Sequence, residues 1–280
     1  MNLIGIMQGR IYREPFRPLQ SFPWETWEQE FFRARALGFD CLEWLFDREA
    51  WERNPIWTEA GRRRLRELIR GTGVAVPTLC AHYFIDGSLL SPREPARTAT
   101  LEIMTALIGH AASVGVRVLV VPLLEEAGLD TPARRRLARQ SLRACLPALE
   151  SAGVSLALET DLPGPEMAAF LEEVGHPGVG VCFDTGNAAA LGYNPGAEVR
   201  QLKPWLAEVH IKDRLYQGPS VPLGEGAVDF AAFFPVLADL GYEGPIILET
   251  QTGEDAENMA RRHRDFVAGH LERARERRRA

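Results

Sequence analysis

Ser155-Leu-Ala-Leu-Glu159 and, one helix-length segment later, Val179-Gly-Val-Cys-Phe-Asp184 decide how this chain folds. Each is a short, almost unbroken apolar run that stops at a carboxylate. Alternating polarity would mark a strand with one wet face; continuous apolarity marks a parallel strand covered on both sides. Working outward, the same kind of run recurs at Leu3–Met7, Cys41–Phe46, Val76–Ala81, Val116–Pro122, Leu206–Ile211 and Pro245–Glu249, giving eight in all. Two of these also end beside a potential ligand: His210 follows Leu206-Ala-Glu-Val, and Glu249 follows Pro245-Ile-Ile-Leu.

Helical periodicity fills the gaps, as in Trp27–Leu37 and Leu101–Ile108. Starts are marked by Ser91-Pro92-Arg93-Glu94, by Thr131-Pro132 and by Asp229 ahead of Ala231–Leu240. Each offers a capping oxygen, and the first two add a proline where its missing N–H costs nothing. Stops read Leu37-Gly38, Thr72-Gly73, Val114-Gly115, Ala152-Gly153 and Leu240-Gly241, each just before a strand. One strand and one helix recur about every 35 residues. Eight such units predict an α/β fold, a single-domain (β/α)8 TIM barrel spanning 1–280. An open doubly wound sheet would carry a GxGxxG turn after its first strand, whereas Gly5-Ile-Met-Gln-Gly9-Arg10 does not match it. No Pro/Gly/Ser-rich linker splits the chain.

Bulk composition narrows the function. The 280 residues carry a formal charge of -6, which argues against wrapping a nucleic acid. No apolar stretch reaches the roughly 20 residues that span a bilayer, so no membrane association is expected. Met1-Asn2-Leu3 runs straight into a strand without a signal-peptide pattern, which gives a cytoplasmic expectation. Cys41, Cys80, Cys145 and Cys182 show no CxxC spacing and read as small buried hydrophobes. The arginine-rich tail, 273–280, reads as a solvated helix end whose cations suit the helix dipole.

In such a barrel, strand C-termini form the active face. Strands five to eight would present Glu159, Asp184, His210 and Glu249 there, on neighbours about 4.8 Å apart. Any one of them could be an ordinary cap or ion-pair partner. Together, three carboxylates would repel one another without a cation. Oxygen-rich with one imidazole, the set predicts one divalent ion, Mn²⁺ foremost, with Mg²⁺, Co²⁺ or Zn²⁺ also compatible.

The strings Ala157-Leu158-Glu159, Phe183-Asp184-Thr185-Gly186-Asn187, Val209-His210-Ile211-Lys212-Asp213, Val221-Pro222-Leu223-Gly224-Glu225-Gly226 and Gly241-Tyr242-Glu243-Gly244-Pro245-Ile246 carry a resemblance. The chain resembles the sugar phosphate isomerase/epimerase family of xylose isomerase-like TIM barrels, nearest to ketose 3-epimerases and L-xylulose/L-ribulose 5-phosphate 3-epimerases. The resemblance implies that Glu159, Asp184, His210 and Glu249 hold the metal, and that Glu159 and Glu249 act as acid and base through an enediolate. Proton return to the opposite face gives epimerisation; return to the neighbouring carbon gives aldose–ketose isomerisation. It further implies a small sugar or sugar phosphate partner and a homodimer or homotetramer.

Outer positions are read less directly. His82, ending the third strand, is a candidate for a substrate hydroxyl or for proton transfer. Asn187 falls where several relatives carry a substrate-binding histidine, and Pro219-Ser220 where some carry an arginine. Arg10, Lys212 and Arg214 could pair with an anionic substrate group, although Arg10 and Arg214 also fit surface ion pairs and Lys212 could position Asp213 or Glu159. Glu43 is either a contact at the barrel mouth or a buried structural acid. The aromatics of the first sixty residues, Phe16, Phe22, Trp24, Trp27, Trp44, Phe46, Trp51 and Trp57 among them, read mainly as packing, with one or two walling a sugar site. Alternatives to an epimerase are a related lyase such as an inosose dehydratase, an endonuclease IV-like repair enzyme, and a metal-free binding protein. The repair enzyme would need more histidines than the six present, two of which fall in the last helix.

Overall fold

Eight parallel strands close on themselves in the computed structural model, which describes residues 2–12 and 18–279. In ring order they are β1 (Ile4–Met7), β2 (Cys41–Leu45), β3 (Ala75–Cys80), β4 (Val118–Leu123), β5 (Ser155–Thr160), β6 (Val179–Asp184), β7 (Leu206–Ile211) and β10 (Ile246–Leu248), which pairs back onto β1. Outside the ring lie α1 (Trp27–Leu37), α2 (Glu59–Thr72), α3 (Glu94–Ala112), α4 (Pro132–Ala152), α5 (Gly164–Val174), α6 (Thr185–Ala190), α7 (Pro195–Gln201), α8 (Phe230–Asp239) and α9 (Ala256–Arg279). A two-stranded antiparallel hairpin, β8 (Asp213–Arg214) and β9 (Ser220–Val221), follows β7.

Local chemistry sets most helix ends where the sequence placed them. Thr131 Oγ1 accepts from Arg134 N at the start of α4, and Asp229 Oδ1 from Ala232 N at the start of α8. Gly153 ends α4 at φ 63°, a left-handed conformation that costs a side-chain-bearing residue energy. Helix α3 departs from expectation: it begins at Glu94, and Ser91 Oγ accepts from Arg93 N rather than capping. A helix starting at Pro92 would need the N–H of residue 95 for its first backbone bond, and residue 95 is also proline.

Val120, Ala157 and Cys182 fill the barrel interior, separate from the large core between strands and helices. Small side chains there leave room for polar groups at the rim. The early aromatics pack as expected: Phe22 and Trp27 lie 5.1 and 5.7 Å from Trp44, and Phe46 stacks on Trp57 at 5.8 Å. Phe16 lies outside the described residues. All four cysteines are buried and free. Among the described residues, no helix is long and apolar enough to cross a membrane.

Candidate active site

Strand register brings the four strand-end groups to one arc of the rim. Asp184 pairs with His210 across β6 and β7, and His210 with Ile247 across β7 and β10. Glu249 follows Leu248 directly, its N–H donating to Ile211 O at 3.1 Å. Glu159 is the fifth residue of β5, beside β6. One ligand atom from each of Glu159, Asp184, His210 and Glu249 lies within 4.8 Å of the others, and all four residues are buried.

The charges are held unequally. Glu249 Oε1 accepts from Lys212 Nζ and from Gln20 Nε2, both at 2.6 Å, while Glu249 Oε2 lies 2.9 Å from His210 Nδ1. Burial alone would raise this carboxyl, but Lys212 and the His210 hydrogen bond outweigh it and hold Glu249 below the usual carboxylate range. Glu159 has fewer such partners. Burial, then the nearby charges of Glu249 and Asp184, push it up to about 8 despite His210 and Lys212. Lys212 Nζ also lies 3.2 Å from Asp184 Oδ2. Burial disfavours its charge, yet Asp184, Glu249 and Glu159 overcome that and raise it above an ordinary lysine. Two carboxylates of the cluster thus hold Lys212, neither of them Asp213.

Several features of this cluster fit a divalent cation. Asp184 Oδ1 accepts from Asn187 N at 2.7 Å, whereas the buried Oδ2 accepts no well-formed hydrogen bond among the described residues. On the far side of the imidazole, His210 Nε2 lies 3.2 Å from Glu43 Oε2 and 3.8 Å from Glu208 Oε1. A proton on Nε2 is directed at Glu43, the arrangement by which a supporting acid orients a ligating histidine, and a cation in the cluster would take the place of the Nδ1 proton that faces Glu249. Glu43 is therefore fully buried against the imidazole edge turned away from the cluster. Cys182 and Glu208 form a second group with His210, with donor atoms likewise within 4.8 Å, on the barrel-interior side.

The other candidates sit around this centre. Asn187 Nδ2 donates to Glu159 Oε1 at 2.9 Å, and its Oδ1 accepts from Arg214 Nη1 at 2.9 Å. Arg10 is buried, with Nη2 on Gln20 Oε1 at 2.5 Å and Nη1 on Leu19 O. His82 begins a short 3-10 turn just past β3; burial lowers its pKa, opposed by the charge of Glu249. Gly186 clears the path of Lys212, because a Cβ there would lie 2.8 Å from Lys212 Cγ. Asp213 is fully buried and accepts from the backbone N–H groups of Gly224, Gly226 and Val228 at 2.9, 2.9 and 3.1 Å.

Sequence reading missed Gln20 and Glu208. Glu208 was findable: it stands two residues before His210 on one strand, hence on the same face. Gln20 lies in an irregular segment before α1, where no periodicity points to the site.

The family model of the xylose isomerase-like TIM barrel matches residues 31–270. The chain belongs to that family. Within it, L-ribulose-5-phosphate 3-epimerase UlaE of Escherichia coli (strain K12) is 30% identical over 264 residues, covering 89% of this chain and 92% of the relative. Among solved structures, an L-ribulose 3-epimerase superposes with a TM-score of 0.79 at 22% identity, over 100% of this chain and 97% of that one. D-Psicose 3-epimerase from Clostridium cellulolyticum H10, solved with D-tagatose, gives 0.78 at 19% identity, over 96% and 99%. At these identities the structural likeness speaks for the fold. The named relatives of this xylose isomerase-like barrel are epimerases, enzymes of the isomerase class.

Proposed function

We propose that this protein is a divalent-metal-dependent epimerase of a ketose or ketose phosphate. The observation that carries the reading is the convergence of Glu159, Asp184, His210 and Glu249 within 4.8 Å, in a chain 30% identical to a ketose-phosphate 3-epimerase. These four residues would hold the ion, Mn²⁺ foremost given the oxygen-rich donor set. Bound there, the ion would supply Lewis-acid polarisation of the substrate, making the C–H beside its carbonyl more acidic.

The protein's own groups move the proton. Glu159 and Glu249 stand on β5 and just past β10, separated around the ring by β6 and β7. They face the centre from opposite flanks, as suits removal of a proton from one face of the sugar and its return to the other. One of the two removes the proton and the other returns it. His82 is assigned to a substrate hydroxyl, with Lys212 and Asn187 beside the reacting carbons.

A panel of free and phosphorylated ketoses, incubated in D₂O with Mn²⁺ and followed by NMR, tests this. Deuterium at C3 of an epimerised product, abolished by chelator and restored by Mn²⁺, is the expected result. Loss of water from the substrate would instead identify a lyase, and no exchange in any ketose would overturn the assignment.

A further inference from the structure

We infer that Arg10 and Arg214 are positioning residues, each of which fixes one of the two glutamates through an intervening side-chain amide; this rests on the acid/base pair proposed above. On one flank Arg214 Nη1 donates to Asn187 Oδ1 at 2.9 Å and Asn187 Nδ2 donates to Glu159 Oε1 at 2.9 Å. On the other, Arg10 Nη2 donates to Gln20 Oε1 at 2.5 Å and Gln20 Nε2 donates to Glu249 Oε1 at 2.6 Å. The two chains of contacts have the same chemistry in the same order, yet come from unrelated parts of the sequence.

Their logic follows from donor inventory. A guanidinium can only donate, whereas a carboxamide donates from one end and accepts at the other. An arginine against the amide oxygen therefore settles which way round the amide sits, and turns its N–H toward the carboxylate. An amide left to itself could present either end. Neither amide titrates, so this control of the glutamates does not vary with pH.

Both arginines are themselves anchored. Arg214 Nε and Nη2 donate to Gly218 O at 3.2 and 3.1 Å, inside the β8–β9 hairpin. Arg10 Nη1 donates to Leu19 O, and its Nη2 lies 3.5 Å from Met7 Sδ. Asn187 is pinned by its own backbone N–H on Asp184 Oδ1 at 2.7 Å, which ties this flank to the cluster as well. Oriented in this way, Glu159 and Glu249 keep their remaining lone pairs for the ion and the substrate.

Asn187→Asp and Gln20→Glu replace the amide donor by an acceptor with almost no change of volume. Each is expected to lower kcat by 10–100-fold, with KM within about threefold, on free and phosphorylated ketoses alike, and to weaken Mn²⁺ binding measured by calorimetry by 10–100-fold. Arg214→Met, with the hairpin intact by circular dichroism, is expected to reproduce the Asn187→Asp result. Unchanged kcat and unchanged Mn²⁺ affinity in the amide variants would overturn the inference. So would an Arg214→Met effect confined to the KM of phosphorylated ketoses, which would make this arginine a phosphate ligand. Should the wild-type protein turn over no ketose, the epimerase reading fails, while Mn²⁺ affinity still decides the positioning role.

Discussion

Lys212 Nζ donates to Glu249 Oε1 across 2.6 Å, placing an ammonium inside the same carboxylate cluster that the cation would join. Its removal leaves buried anions uncompensated, a change that costs about 3–5 kcal/mol. Lys212→Met is expected to melt well below wild type after chelator treatment, with Mn²⁺ recovering most of the difference. Thermal denaturation with and without the ion measures both. A melting point unaffected by the substitution would show that the ammonium does not neutralise the cluster.

Glu159→Gln and Glu249→Gln should fold normally and lose at least ~10³ in kcat, because each removes one end of the proton transfer. Circular dichroism checks the fold and steady-state kinetics the loss. Near-normal turnover by either variant refutes the pairing of these acids.

Gly186→Ala should impair catalysis from outside the ligand set. The added methyl would stand 2.8 Å from Lys212 Cγ and 3.0 Å from its carbonyl carbon. Overpacking of this kind costs about 1–3 kcal/mol, and here relief displaces the ammonium from Glu249. A lower melting temperature together with a reduced kcat is expected; full activity would mean that the lysine path tolerates the methyl.

Mn²⁺ itself should stabilise the chelator-treated protein in proportion to the logarithm of its concentration, by about 2.7 kcal/mol at a hundred times Kd, and raise its melting temperature accordingly. Differential scanning fluorimetry reads this directly, and the quadruple variant Glu159→Gln, Asp184→Asn, His210→Gln, Glu249→Gln should show no response.

His263, on α9, accepts a hydrogen bond at Nε2 from Leu223 N at 3.3 Å and so tethers the segment after β9. Burial, then Arg262, push its pKa down from 6.5 to about 4. The folded state resists protonation, so this stabilisation is complete above pH 6.5 and declines as pH falls toward 4. Allowing for solvent screening, the loss is on the order of 1–2 kcal/mol. His263→Gln should show a shallower fall in melting temperature between pH 7 and pH 4.5. Identical slopes would remove His263 as a contributor.

The barrel was legible because its eight strands are covered on both sides and therefore read as apolar runs, with edges within two residues of those found. The convergence of Glu159, Asp184, His210 and Glu249 was legible because each breaks such a run at its exit, and parallel register turns sequence order into neighbourhood. Partner choice was not. That Lys212 meets Glu249 and Asp184 depends on where its long side chain passes over Gly186, which spacing does not encode. Gln20 reaches Glu249 from 229 positions away in sequence, out of a segment with no repeating pattern. The start of α3 moved because prolines at 92 and 95 compete, an effect visible only when the helix bonds are counted one by one.

By gathering three main-chain N–H groups onto a single carboxylate, Asp213 freezes the stretch from Gly224 to Val228 against the end of β7. The adjoining hairpin tip carries the exposed Leu215 and Tyr216 and a strained Gln217 at φ 50°. Substitution of the exposed Leu215 and Tyr216 side chains should therefore be tolerated, while Gly218 must keep its carbonyl on Arg214 and any change at Asp213 would unstitch the wall behind them.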